Sequence, residues 1–162
     1  MDQAAALAPA TRADRVGVVA GRPGDRGHAH GAAFEWCHAT CLELPAATLD
    51  QPFGPDTDAF RIHGKMFALL MFSPRVSEHL IVNLKAEPFE VPLLIATHDI
   101  VQPGYHMSKK HWITVVLRPG ADLELVAELV EDSYDGVVAG LPARLRSPLA
   151  AFRPQRPRSV VP

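Results

Sequence analysis

The chain has 162 residues, 48% of them hydrophobic, and a formal net charge of −2. This length predicts one domain whose core is large enough for folding without disulfides or metals. Most nucleic-acid-binding domains have an excess of basic residues, which this chain does not have. No apolar run approaches the ~20 residues of a membrane helix, and two cysteines without a secretory signal indicate a reduced, cytoplasmic protein.

The two ends of the chain differ in composition from its middle. Residues 1–32 are rich in Ala, Gly, Pro and Arg and show no lasting hydrophobic period, which predicts a disordered extension. Residues 144–162 alternate arginines with prolines and contain no acidic residue, which predicts a flexible tail. The predicted domain therefore covers residues 33–143.

Hydrophobic spacing predicts the elements of this domain in chain order. A first helix is expected over 33–44, and a compact turn is expected over 50–56. An antiparallel meander of three strands follows, then a helix with Pro92 in its first turn, two paired strands and a last helix. The meander strands are 59–63, 65–72 and 80–84, the middle helix is 89–97, the paired strands are 100–105 and 111–117, and the last helix is 122–138.

Opposite charges occupy the last predicted helix and the ends of the strands. Six acids and no cation lie within residues 122–135, namely Asp122, Glu124, Glu128, Glu131, Asp132 and Asp135. Lysines and Arg118 instead flank the strand-like runs. A chain polarised in this way is able to offer a basic face to an anion although its net charge is negative.

The most distinctive segment is PGYHMSKKHW at residues 103–112. Pro103 and Gly104 predict a turn, so the adjacent Lys109 and Lys110 stand where a loop enters a strand. Lysines in this place suit phosphate contact, and aromatic rings beside them suit stacking on unpaired bases. The predicted nucleic-acid-binding residues are Lys65, Lys85, Tyr105, Lys109, Lys110, His111 and Trp112. A structural interpretation competes, because strand-end lysines also block sheet edges and Trp112 suits a core.

Seven short motifs follow one another along the predicted domain. They are CLELP at 41–45, PFGP at 52–55, GKMFAL at 64–69, NLK at 83–85, the segment 103–112, SY at 133–134 and LP at 141–142. In their order and spacing they resemble the MmcQ/YjbR-like proteins. Ser108 and Ile113 depart from the pattern, since asparagines are common at these positions in that family.

The resemblance implies an α+β single domain of the CyaY (frataxin) type, in which helices flank an antiparallel sheet. Members of the family are commonly labelled DNA-binding, which implies weak, non-specific binding of DNA through the basic loop and the sheet surface. The alternative is a non-catalytic module that binds a protein or a small ligand. We expect a monomer without a cofactor in either case.

A metal site has two candidate locations, and structural roles compete with both. Cys37 and Cys41 lie one helical turn apart with His38 between them, but they supply two ligands where a closed zinc site needs four, so core packing is favoured. The acids of residues 122–135 are similar in kind to a frataxin iron ridge, yet they also fit the solvent side of an amphipathic helix. We therefore expect no metal.

Catalysis is not expected either. His106, Ser108 and His111 titrate or react in many enzymes, but no nucleophile elbow, phosphate loop, zinc-binding histidine pair or dinucleotide fingerprint accompanies them. A deep pocket that placed one of the two histidines beside a carboxylate, such as Asp56 or Asp58, would indicate an enzyme.

Overall fold

A computed structural model describes residues 27–152, in which helices and strands follow one another closely. The order is α1 (Gly27–Leu42), β1 (Ala47–Asp50), β2 (Thr57–Ile62), β3 (Lys65–Phe72), β4 (Leu80–Lys85), α2 (Val91–Thr97), β5 (Val101–Pro103), β6 (Trp112–Leu117), α3 (Leu123–Ala139) and α4 (Ala143–Ala150). No helix in this range is long and apolar enough to cross a bilayer.

The strands form one antiparallel sheet in the order β1-β2-β3-β4-β6-β5. The predicted meander of β2, β3 and β4 is confirmed, as is the pairing of β5 with β6. His63 and Gly64 connect β2 to β3 with φ angles of 47° and 78°, the two positive values that a type I′ hairpin needs. The expected α+β class, an antiparallel sheet flanked by helices, is therefore confirmed.

The two faces of the sheet have different coverings. On one face the side chains of Phe60, Leu70, Val82 and Val115 join the main core, which α1 and α3 complete by packing on the central strands. Because side chains alternate along a strand, the residues between them, including Asn83 and Thr114, point to the opposite face. We call the first the helix face and the second the open face.

Helix α3 forms as its sequence predicts. Asp122 caps the N-terminus, where its Oδ1 accepts hydrogen bonds from the backbone N–H groups of Glu124 and Leu125 at 3.0 and 3.2 Å. The apolar stripe turns toward the sheet and buries Val126, Val130, Tyr134 and Val137. The acids of this helix therefore lie on its other sides, with Glu131 as a buried exception.

Ser133 and Tyr134 attach α3 to the rest of the fold by hydrogen bonds. The Ser133 hydroxyl donates to the carbonyl of Phe67 on β3 at 2.5 Å and accepts from the backbone N–H of Lys85 on β4 at 2.8 Å. The Tyr134 hydroxyl donates to the carbonyl of Pro45 at 2.7 Å. Ser133 thus satisfies two backbone groups near a β-bulge, where the β2–β3 register shifts between Phe60 and Arg61.

Two sequence-based boundaries were wrong. Helix α1 begins at Gly27 rather than at 33, because the preceding residues contain no proline to stop it. The predicted tail was placed too early, because residues 143–150 form α4. Leu145 packs against the core and Leu149 joins it, a helical spacing that the surrounding arginines and Pro148 disguise in the sequence. Residues 1–26 and 153–162, predicted as disordered or flexible, lie outside the described range.

Strand β1 was also missed, because 50–56 was interpreted as a turn and nothing was predicted just before it. Its four residues carry one large apolar side chain, Leu49, so hydrophobic pattern alone gives little signal. Pairing of Ala47 with Ile62 and of Asp50 with Ala59 defines the strand instead. The Asp50 carboxylate adds an ion pair with Arg61 at 3.0 Å across the same two strands.

We predict that Ser133→Ala lowers the free energy of unfolding by roughly 1–3 kcal/mol, because it leaves a buried carbonyl and a buried N–H without a partner. Urea denaturation followed by circular dichroism measures this loss. Ser147→Ala is the matched control: Ser147 is exposed on α4 and donates to the carbonyl of Ala143, so we expect a change within about 0.5 kcal/mol. Equal effects of both substitutions would contradict the cross-linking role of Ser133.

Candidate nucleic-acid interface

The loop between β5 and β6, residues 104–111, is fastened to the open face by a buried polar network. Asn83 Nδ2 donates to the carbonyl of Tyr105 at 2.9 Å, and the Tyr105 N–H donates to Thr114 Oγ1 at 2.8 Å. Thr114 Oγ1 in turn donates to Asn83 Oδ1 at 2.6 Å. Asn83 and Thr114 are fully buried, so each of these bonds forms away from water, where leaving a group unpaired is costly.

Close backbone packing completes the attachment of the loop. A Cβ atom on Gly104 would lie 2.8 Å from the Trp112 carbonyl oxygen and 2.9 Å from its Cβ, so only glycine fits there. The carbonyl of Ser108 accepts from the N–H of Trp112 at 3.0 Å, and the carbonyl of His111 accepts from the N–H of Ala86 at 2.9 Å. The loop is therefore held at both ends.

Two of the predicted lysines contact this loop or the strand that follows it. Lys85 Nζ lies 5.9 Å from the centroid of the Trp112 ring, within the range of a cation–π contact. Lys109 Nζ donates to the carbonyl of Gly104 at 3.0 Å, and Gly104 packs on Trp112. Trp112 therefore has one cation over its ring and a second beside its backbone.

Lys110 and His111 are exposed at the tip of the loop. Lys65 lies at the same end of the sheet, at the start of β3, but it pairs with Ile62, a residue of the core. Paired residues share a face, so Lys65 projects toward the helix face. The structure thus brings together Lys85, Lys109 and Lys110 and separates Lys65 from them.

The aromatic residues have less freedom than the stacking hypothesis requires. Trp112 is only 9% exposed, so it offers no open face to a base and acts as a structural support. Tyr105 is half-buried, its ring centroid lies 4.1 Å from that of His106, and its hydroxyl accepts from Ser73 at 3.2 Å. His106 has a φ of 53°, an unusual value outside glycine. The exposed His111 is the predicted ring that remains accessible.

The acids that surround α3 lie across the sheet from the loop. Partial burial raises the pKa of Asp132, and the negative charges of Glu90, Asp135, Glu128 and Glu131 raise it further. Asn83 and Lys85 point to the open face, whereas α3 packs on the helix face. The sheet thus separates the acidic layer from Lys85 and the loop.

The cysteines pack in the core, as predicted. Cys37 and Cys41 are fully buried, and a hydrogen bond with Cys37, together with burial, raises the pKa of the Cys41 thiol well above its usual value. Such a thiol stays protonated at neutral pH and is a poor metal ligand. Within residues 27–152, no group of three or more His, Cys, Asp or Glu side chains is arranged to hold a metal ion.

Asp58 is buried, but it does not face His106 or His111. Its Oδ1 accepts from Gln51 Nε2 at 2.6 Å, and its Oδ2 lies 3.8 Å from Nε2 of His38 on α1. Asp56 is exposed, as are the side chains of both loop histidines. The arrangement that would have indicated an enzyme is therefore not formed by these residues.

Two shallow clefts lie at the far end of β6 from the loop. The larger measures about 340 Å³ and the smaller about 280 Å³, and the ion pair between Arg118 and Asp99 contributes to both. Neither cleft contains a residue of the 103–112 segment. The segment therefore lines neither of these two clefts.

Sequence reasoning missed Asn83 and Thr114 as the residues that position the loop. The available signal was one polar side chain in the middle of each of two otherwise apolar strands, LIVNLK and WITVVL. A polar group buried in such a strand needs a hydrogen-bonding partner. The sequence does not indicate that both partners would be the backbone of Tyr105.

Comparison with known proteins identifies the relatives of this chain. A family model described as YjbR matches residues 42–136. The uncharacterized protein YbdF of Escherichia coli O157:H7 is 42% identical over 105 residues, which cover 64% of this chain and 82% of that protein. The uncharacterized protein YjbR of Escherichia coli K12 is 31% identical over 108 residues, or 65% and 87% of the two chains.

A solved structure is also similar. The crystal structure of Deinococcus radiodurans protein DR2400, with domain DUF419, matches with a TM-score of 0.62 and 30% sequence identity. The match covers 77% of this chain and 91% of that chain. This chain is therefore similar to a solved structure over most of its described length.

We predict that Thr114→Val loosens the loop. Valine keeps the shape of threonine but leaves Asn83 Oδ1 and the Tyr105 N–H without a partner, at a cost of roughly 1–3 kcal/mol in the free energy of unfolding. Hydrogen exchange should become faster for the amides of residues 105–111. Thr48→Val is the control, because Thr48 is exposed and its hydroxyl makes one 3.4 Å contact; unchanged exchange in Thr114→Val would contradict the network's role.

We predict that Asp132→Asn stabilises the fold at neutral pH. Because the folded pKa of Asp132 is raised, protonation of this carboxyl contributes stability that is fully present below its ordinary value of 3.8 and is lost as pH rises through the folded pKa. Asparagine carries no charge at any pH, so the variant does not lose this stability as pH rises. Urea unfolding at several pH values should show the variant's advantage growing above 3.8 and then levelling off; an advantage independent of pH would contradict this.

Proposed function

The chain belongs to the YjbR family, and from that premise we propose that it binds nucleic acid weakly, without catalysis and mainly by electrostatic attraction. The proposed contact surface consists of Lys85, Lys109, Lys110 and His111. Lys65, which projects toward the helix face, is left out of this surface. We name Lys85, Lys109, Lys110 and His111 the loop surface.

The observation that carries the proposal is that Lys85, Lys109 and Lys110 all lie at the loop or beside it and have no acidic partner among the described residues. Among residues 27–152, ion pairs involve His38, Arg61 and Arg118, and none involves Lys65, Lys85, Lys109 or Lys110. Cations fixed near one another repel each other and gain free energy when a polyanion approaches and releases its counterions. A phosphate backbone supplies such regularly spaced negative charges.

The charge layout limits the direction of approach. The acids of α3 lie on the helix face, where they repel phosphates. The middle of the open face is buried, as Leu69, Ile81 and Val116 show, so a nucleic acid approaches at the exposed loop tip. Within residues 27–152, no helix presents a row of arginines or asparagines to that side, and the buried Trp112 does not stack. Both features favour contact with the phosphate backbone over readout of base sequence.

We further propose that the protein acts as a cytoplasmic monomer and needs no cofactor. Cys37 and Cys41 are free thiols although they are neighbours on α1, which suits a reducing compartment. The loop histidines are exposed, and no carboxylate among the residues that the structure describes pairs with them. This supports binding rather than chemistry.

We predict that the double substitution Lys109→Gln and Lys110→Gln weakens DNA binding and makes it less dependent on salt. Each lost phosphate contact should reduce the slope of log K against log salt by about 1, so the double variant should lose about 2. Fluorescence anisotropy with a labelled DNA duplex and a single strand, titrated at several salt concentrations, measures both quantities.

Two controls separate the loop surface from other cations. Arg118→Gln removes a cation at the opposite end of β6, so it should leave the slope unchanged. A chain with Arg153, Arg156 and Arg158 changed to Gln tests the contribution of the C-terminal arginines. If the lysine double variant bound DNA like the unmodified chain in both backgrounds, the loop surface would not be the binding site.

A further inference from the structure

Helix α2 is apolar on both sides, although one side faces outward. Its sequence, VPLLIAT, contains no charged residue. Val91 is buried, and Leu94 and Ile95 pack against the core. On the other side Phe89, just before the helix, is 78% exposed and Leu93 is 55% exposed. A helix that is hydrophobic all round is normally covered, and an exposed phenylalanine beside an exposed leucine marks a contact surface.

Acidic side chains border this apolar area. Glu87 and Glu90 flank Phe89 in the chain, and Glu90 lies close enough to Asp132 on α3 to raise its pKa. Within the described residues, Glu87, Glu90 and Asp132 take part in no ion pair. A partner for this surface therefore needs cations at its edge and an apolar group at its centre. We name Glu87, Phe89, Glu90 and Leu93 the α2 surface.

We propose that the C-terminal segment of the same chain, residues 153–162, docks on the α2 surface. Its sequence, RPQRPRSVVP, has three arginines, no acid and two adjacent valines near its end. Arginine pairs with carboxylates in a fork and stacks on aromatic faces, which suits the glutamates and Phe89. Val160 and Val161 provide the apolar contact for Leu93. The complementarity covers both the charge and the hydrophobic character of the surface.

The length of the segment allows this contact. Ten extended residues span about 33 Å. The eight residues of α4 measure about 12 Å, and the part of α3 after Asp132 measures about 10 Å. The three residues between the two helices, 140–142, add up to about 10 Å. The path from the end of α4 back to Asp132, next to Glu90, is thus at most about 32 Å, which the extended segment just covers. The proposal does not depend on nucleic-acid binding, since it uses neither the loop surface nor its lysines.

Paramagnetic relaxation in the full chain tests the proposal directly. Val160→Cys introduces an accessible thiol for a nitroxide label, whereas Cys37 and Cys41 are fully buried and should not react. We expect the amide resonances of residues 89–96 to lose most of their intensity, while those of β1 keep theirs. At about 1 M salt, where the Debye length is about 3 Å, the loss should diminish.

Variants distinguish this contact from incidental proximity. The double substitution Glu87→Gln and Glu90→Gln, and separately Phe89→Ser, should restore the intensities, whereas Glu78→Gln, an exposed acid outside the α2 surface, should not. Uniform broadening across the protein, or broadening that survives both α2 variants, would overturn the proposal. A further check mixes a nitroxide-labelled chain with an isotope-enriched chain that carries no nitroxide. If the broadening in this mixture were as strong as within one chain, the α2 surface would bind a second copy, and docking within the molecule would be overturned.

Discussion

The position of the candidate interface depends on one buried interaction, the hydrogen-bonded triangle of Asn83, Thr114 and the Tyr105 backbone. The two polar side chains are stable within apolar strands because each forms a hydrogen bond with the Tyr105 backbone and with the other side chain. The loop is therefore fixed relative to the sheet rather than free above it. Gly104, which has no side chain, lets it approach Trp112 closely enough for Lys109 and Lys85 to converge.

The sheet also separates the acidic residues of α3 from the lysines of the loop. Its helix face supports α3, where partial burial and the neighbouring acids, Glu90 first among them, raise the pKa of Asp132. Its open face supports the loop that carries the lysines. A net charge of −2 therefore hides two regions of opposite sign. This separation explains how a slightly acidic chain is able to offer a cationic surface, and why any attraction to a polyanion should be weak and sensitive to salt.

Much of the fold could be predicted from the sequence, because β2, β3, β4, β6 and α3 have strong hydrophobic patterns with turn or cap residues at their ends. Strand β1 has one large apolar residue, and α4 is disguised by arginine and proline, so both were missed. The position of the loop lysines was predictable from Pro103 and Gly104. The burial of Trp112 and the placement of Lys65 on the helix face were not predictable, because they depend on strand register and on a bulge, which are tertiary features.

The most direct test of the central claim is an amide chemical-shift titration of the full chain with a short DNA duplex. If the loop surface binds DNA, shifts concentrate in residues 104–112 and around Lys85, α3 is unaffected, and added salt reverses the changes. Shifts confined to the clefts around Arg118 and Asp99, or a spectrum that does not change at low salt, would contradict it.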